Sequence, residues 1–253
     1  MRLRHVLLAA MLLGSVLPTQ ACRMTMALEQ WPPYVYRDAQ GRYTGLDLDL
    51  LKAIFKEARC TLVTLPELPT ARRQLLFQKG GLDLMLAASE TPERQSYARF
   101  SISYRDEAVG LFSKSGAPGS QRQIASFAQL ARGKSTLLAP KVGWYGAQYA
   151  AARPALEKAG RLNTFGSFRQ GILMLDAGRA DLLLGDVLAV RHEARLQDVA
   201  LNTLPFLVLR ALVHLMLNAR TTSADDLARL NAAITHLEQR GVLAAIRARY
   251  EAP

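Results

Sequence analysis

Lys79-Gly80-Gly81-Leu82-Asp83-Leu84-Met85 is echoed later in the chain by Ala177-Gly178-Arg179-Ala180-Asp181-Leu182-Leu183. Each stretch reads as a helix end, a glycine stop, an aspartate and a short apolar run. Glycine stops helices because it accepts the left-handed backbone found just past their last turn. A short apolar run bounded by such breakers reads as a buried strand. The repeat therefore points to two lobes of similar design rather than one continuous sheet.

Working outward from the first copy, residues 23–28 read as a strand and residues 46–58 as a helix. Leu46, Leu50, Ile54 and Ala58 fall on one face of that helix, with Leu51 and Phe55 beside them. Residues 61–65 form a strand, 70–79 a helix and 82–87 a strand. This βαβαβ order predicts a mostly parallel sheet covered by helices. Ligands of such open sheets bind at the carboxyl edge of the strands. Around the second copy, a helix from about residue 126 carries Phe127, Leu130 and Ala131. Residues 135–139 read as a strand, and Val142-Gly143-Trp144-Tyr145-Gly146 as a turn into a helix from Ala147. Residues 168–177 form a helix and 182–184 a strand that ends at Gly185-Asp186. Two longer strands, 104–113 and 207–218, leave the first unit and return to it. The breaker-rich loop 115–120 follows the first of them, and residues 222–250 are helical with an interruption near Gly241.

The N-terminus has the three parts of a secretory signal. Arg2 and Arg4 precede an apolar run over residues 6–17, and Thr19-Gln20-Ala21 offers a small-x-small cleavage site. The run is short for a membrane span, which needs about 20 apolar residues. Cleavage leaves a soluble protein outside the cytoplasm; the alternative is an uncleaved anchor. Cys22 follows directly, but Thr19 stands where a lipoprotein signal carries a leucine-like residue, which argues against lipidation. The only other cysteine is Cys60. Two cysteines in an exported chain suggest one disulfide, with two free thiols as the alternative. They open what read as neighbouring parallel strands, which run about 4.8 Å apart.

The chain has 253 residues, half of them hydrophobic, and a formal charge of +11. Removing Arg2 and Arg4 from the 32 basic side chains leaves 30 against 21 acidic ones. The surplus is arginine scattered through helices, without a dense run or a nucleic-acid motif, so it reads as a solvated basic surface and no nucleic-acid partner is expected. The four histidines, at 5, 192, 214 and 236, have no metal-ligand spacing. No phosphate loop, nucleophile elbow or zinc motif occurs; neither cofactor nor metal is expected.

Three motifs carry a family resemblance. Gly45-Leu46-Asp47-Leu48-Asp49-Leu50 opens a helix with alternating acid and apolar residues. Ser89-Glu90-Thr91-Pro92-Glu93-Arg94 is followed by Phe100-Ser101-Ile102-Ser103-Tyr104. The chain closes with Leu237-Glu238-Gln239-Arg240-Gly241-Val242-Leu243, Ile246 and Tyr250. In order and spacing these resemble the periplasmic solute-binding proteins of family 3, which serve polar amino-acid ABC importers. The resemblance covers essentially the whole mature chain. It implies a two-lobed, type II-like periplasmic-binding-protein fold, each lobe a mostly parallel sheet flanked by helices, with two hinge strands between them. The expected division is a signal at 1–21, a first lobe at 22–110, a second lobe at 111–207 and a return to the first lobe at 208–253.

The resemblance also implies a site. Arg94 would clamp a carboxylate through its planar fork, with Ser89 and Thr91 assisting; otherwise Ser89 or Thr91 merely caps a helix and Arg94 is solvated. Asp186 would take the solute's ammonium group, the alternative being a surface or capping aspartate. Trp31 would stack on the solute, with Glu29 and Tyr34 nearby. The chain departs from the pattern at Phe55, where a small residue is usual, and at Ala87 and Ala88, where a hydroxyl or glycine is common. It departs also at Ala147, where Ser or Thr usually opens the second lobe's first helix, leaving only backbone N–H groups to contribute there. Leu28 brings no charge to the end of the first strand. Asp47 and Asp49 read as residues placed to suit a helix dipole.

The function this implies is capture of a small polar solute, an amino acid or related carboxylate, by a monomer that hands it to an inner-membrane ABC permease without chemistry. Two alternatives share the fold: a sensor that docks on a signalling receptor, and an enzyme similar to cyclohexadienyl dehydratase. The enzyme would need a general acid, for which Glu29 and Glu90 are the candidates.

Overall fold

A computed structural model describes residues 22–117 and 124–251. The expected signal segment, and residues 118–120 of the loop after the first hinge strand, lie outside the described residues. Strand β1 (Arg23–Ala27) leads through the short pair β2 (Tyr36–Arg37) and β3 (Tyr43–Thr44) to helix α1 (Leu46–Glu57). The entry into α1 allows only glycine at residue 45. Its φ is 125°, and a Cβ there would lie 2.3 Å from the Tyr34 carbonyl oxygen. In return, the carbonyls of Pro33 and Tyr34 accept hydrogen bonds from the N–H groups of Leu46 and Asp47. These are donors that have no partner within a helix's first turn.

Strand β4 (Thr61–Leu65) lies parallel to β1, with Arg23 opposite Thr61. Their starts are tied by the Cys22–Cys60 disulfide, whose Cα atoms are 4.7 Å apart. Helix α2 (Thr70–Gln78), strand β5 (Leu84–Ala88) and the one-turn helix α3 (Pro92–Gln95) complete the first unit. Strand β6 (Ala98–Lys114) then crosses to the second lobe. There α4 (Phe127–Arg132), β7 (Leu137–Pro140), α5 (Ala147–Lys158), β8 (Leu162–Phe165), α6 (Phe168–Asp176), β9 (Leu182–Asp186) and α7 (Val187–Leu196) follow in turn. Strand β10 (Leu201–Asn218) returns to the first lobe, where α8 (Ala224–Gln239) and α9 (Val242–Glu251) cover α1.

The repeated aspartates explain the sequence echo. Asp83 accepts a hydrogen bond from the Thr25 N–H at 2.8 Å, and Asp181 accepts one from the Thr136 N–H at 2.8 Å. In each lobe the aspartate before a buried strand ties it to the neighbouring strand's backbone.

The β7–β8 and β7–β9 pairs are parallel, as β1–β4 is. The hinge strands add antiparallel ladders. One sheet in the order β5-β10-β6-β9-β7-β8 runs through both lobes, with β10 antiparallel to β5 and β6, and β6 antiparallel to β9. Both hinge strands begin earlier than their sequence suggests. Pro205 and the mixed Leu201-Asn202-Thr203-Leu204 before it hide the start of β10, and a register shift between Thr203 and Leu207 accommodates the proline at a bulge. β6 begins with a mixed polar and apolar stretch around the buried Ser101, which offers no apolar run. Among the described residues no helix is long and apolar enough to cross a membrane.

The disulfide joins residues 38 apart in sequence. In the chain-entropy model this contributes about 4 kcal/mol. Reduction, or Cys22→Ser with Cys60→Ser, is expected to lower the urea midpoint correspondingly. Equal midpoints for oxidised and reduced protein would contradict this.

Candidate functional site

Both lobes face a cavity of about 990 Å³. The carboxyl ends of β1 and β5 bring Glu29, Trp31, Ser89, Thr91 and Arg94 to one wall. The β7–α5 turn and the start of α6 supply Lys141, Trp144, Tyr145 and Arg169 opposite. This is the strand edge at which open α/β sheets hold ligands.

The sequence-derived residues divide into two groups. Ser89, Thr91 and Arg94 stand together. Thr91 caps α3 by accepting the Arg94 N–H at 3.3 Å, and the Arg94 guanidinium donates to the Ser89 carbonyl at 2.8 Å. That bond uses one of the five guanidinium N–H donors. Trp31 is half-buried, its ring 4.4 Å from that of Tyr34. Glu29 is buried and engaged on both oxygens by Arg73. Burial pushes its carboxyl up, and the Arg73 charge opposes this.

Asp186 and Ala147 do not line the cavity. Asp186 ends β9, is 1% exposed, and caps α7 by accepting the Ala189 N–H at 2.7 Å. The same oxygen accepts from the Tyr34 hydroxyl at 2.8 Å, which roofs it from the first lobe. Ala147 begins α5 on the exposed side of Gly146. Glu90, an acid weighed for the enzymatic alternative, is exposed, accepts from Gln95, and lies outside the cavity wall.

Three charged residues were not foreseen. Arg73 is buried at 4% exposure. Its sequence signal was the four-residue spacing to the buried Phe77, which puts it on the covered face of α2. Arg105 on β6 grips Asp47 of α1 with two hydrogen bonds, Nε to Oδ1 at 2.6 Å and Nη2 to Oδ2 at 3.0 Å. It also lies 4.1 Å over the Tyr34 ring. Asp47 is thus a buried ion-pair partner and not only a helix-dipole residue. Glu107, two residues along on the same face of β6, lines the cavity 3.7 Å from Arg105. Burial, reinforced by the neighbouring Asp186 charge, raises its carboxyl from 4.5 to about 8.

The family model of bacterial extracellular solute-binding proteins, family 3, matches residues 24–252. The chain belongs to that family. No curated protein matches this family-3 chain. Among solved structures, a substrate-binding protein of a Streptococcus pneumoniae ABC uptake transporter with bound histidine is 21% identical. It covers 90% of this chain and 92% of its own, with a TM-score of 0.75. An ancestral arginine-binding protein bound to arginine is 18% identical over 91% of this chain and 98% of its own, TM-score 0.74. A histidine kinase sensor domain with similarity to periplasmic binding proteins is 17% identical over 92% and 96%, TM-score 0.74. These likenesses establish the two-lobed fold of this family-3 protein.

A carboxyl raised from 4.5 to about 8 makes the folded chain hold a proton that the unfolded chain releases. Its contribution to stability is full below pH 4.5 and is lost as pH rises through 8. Glu107→Gln, neutral at every pH, is expected to match the wild type near pH 4.5. Above pH 8 it should be more stable by about 1–3 kcal/mol, a partly solvated fraction of the roughly 1.4 kcal/mol per pH unit. Parallel stability curves across this range would contradict the placement of Glu107.

Proposed function

We propose that this chain is an exported receptor that captures an amino acid or related small carboxylate between its lobes and delivers it to an inner-membrane ABC permease. One observation carries the reading. The cavity is walled by both lobes and carries an arginine beside two hydroxyl residues at the carboxyl edge of β5. An arginine fork with donors to spare is a carboxylate receptor, and Trp31 supplies an aromatic face beside it. The arginine and histidine bound by the solved relatives support the amino-acid class. Export is supported by the family's description as extracellular and by the layout of residues 1–21. Capture would proceed by closure of the lobes about β6 and β10, with the receptor acting as a monomer.

A second reading is favoured by one feature. An acid retaining its proton near neutral pH lines the cleft at Glu107, as a dehydratase similar to cyclohexadienyl dehydratase would require. Turnover of a prephenate-like acid, abolished by Glu107→Gln, is its test.

The receptor reading is tested by thermal unfolding of refolded, solute-free mature protein against the common amino acids, polyamines and small organic acids. A captured solute at 100 times its Kd adds about 2.7 kcal/mol of stability. Arg94→Ala should weaken a carboxylate solute about 100-fold, as expected on losing a buried charge-assisted contact. A solute that binds equally well to Arg94→Ala would overturn the assignment of the clamp. No response to any compound would overturn the receptor.

A further inference from the structure

Behind the cavity wall at Glu107 the charge is unbalanced. Asp47, Glu107 and Asp186 surround a single guanidinium, Arg105, and Asp47 holds it with both oxygens. Asp186 has its own donors, the Tyr34 hydroxyl and the Ala189 N–H. Glu107 has neither. Among the described residues no hydrogen bond reaches its carboxylate, and its nearest cation is Arg105 at 3.7 Å. Its side chain is 12% exposed, and the open part belongs to the cavity wall.

Of the other carboxylates lining the cavity, Glu93 is exposed to solvent on α3, and the rest have partners or a cation near them. Glu29 is engaged by Arg73, and Asp38 by Arg42 and two backbone N–H groups. Glu193 has the charge of Arg169 near it. Arg73 lines the same cavity with both terminal nitrogens engaged by Glu29, and its Nε is buried without a hydrogen-bond partner among the described residues.

We propose that Glu107 on the hinge strand, rather than Asp186 at the end of β9, receives the positively charged group of the solute. This rests on the receptor reading above and specifies its cation subsite. The acid expected from the family pattern is roofed by Tyr34, and the acceptor facing the cleft is supplied two residues beyond the hinge arginine. A solute ammonium at Glu107 would offset the excess negative charge there, while Arg94 takes its carboxylate. Because Glu107 belongs to the strand that joins the lobes, the bound charge would sit where the lobes pivot.

The groups facing Glu107 are Arg105 on its own strand, Asp47 from α1, Tyr34 from the β1–β2 loop, Asp186 from β9 and Tyr145 from the β7–α5 turn. Of the carboxylates among them, Glu107 is held at about 8, so binding a cation there displaces a proton. Affinity for an ammonium-bearing solute then rises with pH below 8, by at most tenfold per pH unit.

The test uses calorimetric titration of the mature wild type, Glu107→Gln and Asp186→Asn with the common L-amino acids, putrescine and succinate. These probes carry both charges, cations only and anions only. The expected result is an amino-acid or diamine Kd that tightens between pH 6 and 8 in the wild type. In Glu107→Gln it should weaken about 100-fold and lose its pH dependence, whereas Asp186→Asn weakens it at most about fivefold. Equal losses in the two variants, or a Glu107→Gln affinity within threefold of wild type, would overturn the assignment to Glu107 and leave the receptor standing. Binding of succinate alone would do the same. Binding of none of the probes would remove the receptor reading and the inference with it. Urea curves for each variant at pH 5 separate a folding defect from a lost contact.

Discussion

The ion pair of Arg105 with Asp47 is the contact on which the cleft is arranged. Both side chains are removed from water, at 2% and 0% exposure. Breaking such a pair from one side costs about 3–5 kcal/mol, because a charge is left buried and unpaired. Asp47 sits in the first turn of α1, whose entry requires Gly45 and the carbonyls of Pro33 and Tyr34. Arg105 sits on the hinge strand. The pair therefore fixes the helix start, the Trp31–Tyr34 loop and the strand that joins the lobes in one arrangement. Tyr34, stacked on the guanidinium, reaches across to Asp186 of the second lobe, and Tyr36 meets His192 in a second contact between the lobes.

Local patterns in the chain carried much of this fold. Helix periodicity placed α1, and the Gly80-Gly81 stop placed α2. Glycine stops and the repeated aspartates placed β5 and β9, and in both the aspartate ties the strand start to a neighbour's backbone. The hinge strands were legible only in part. Pro205 sits at a bulge, which no local pattern distinguishes from a loop, and β6 starts in mixed residues that owe their place to pairing with β10.

The site was harder to read for the same reason. The Ser89–Arg94 motif is local and led to the cavity wall directly. Asp186 ends β9, but its covering comes from Tyr34, 152 residues away. Arg105, Asp106 and Glu107 are three consecutive charges, an unpromising pattern for a buried strand. Only the fold shows that Asp106 turns outward to Arg210 while Arg105 finds Asp47, 58 residues earlier. What a charge does in this cleft is decided by its partner, and partners distant in sequence leave no local trace.

Receptor and cation subsite together require a solute held between the lobes by Arg94 at one end and Glu107 at the other. A crystal structure of the mature protein with the solute chosen by screening tests it most directly. The expected result is a closed cleft with the solute carboxylate on Arg94, its ammonium within hydrogen-bonding distance of Glu107, and Tyr34 still on Asp186. A solute whose ammonium displaces Tyr34 to reach Asp186, or one bound away from the cleft, would contradict it.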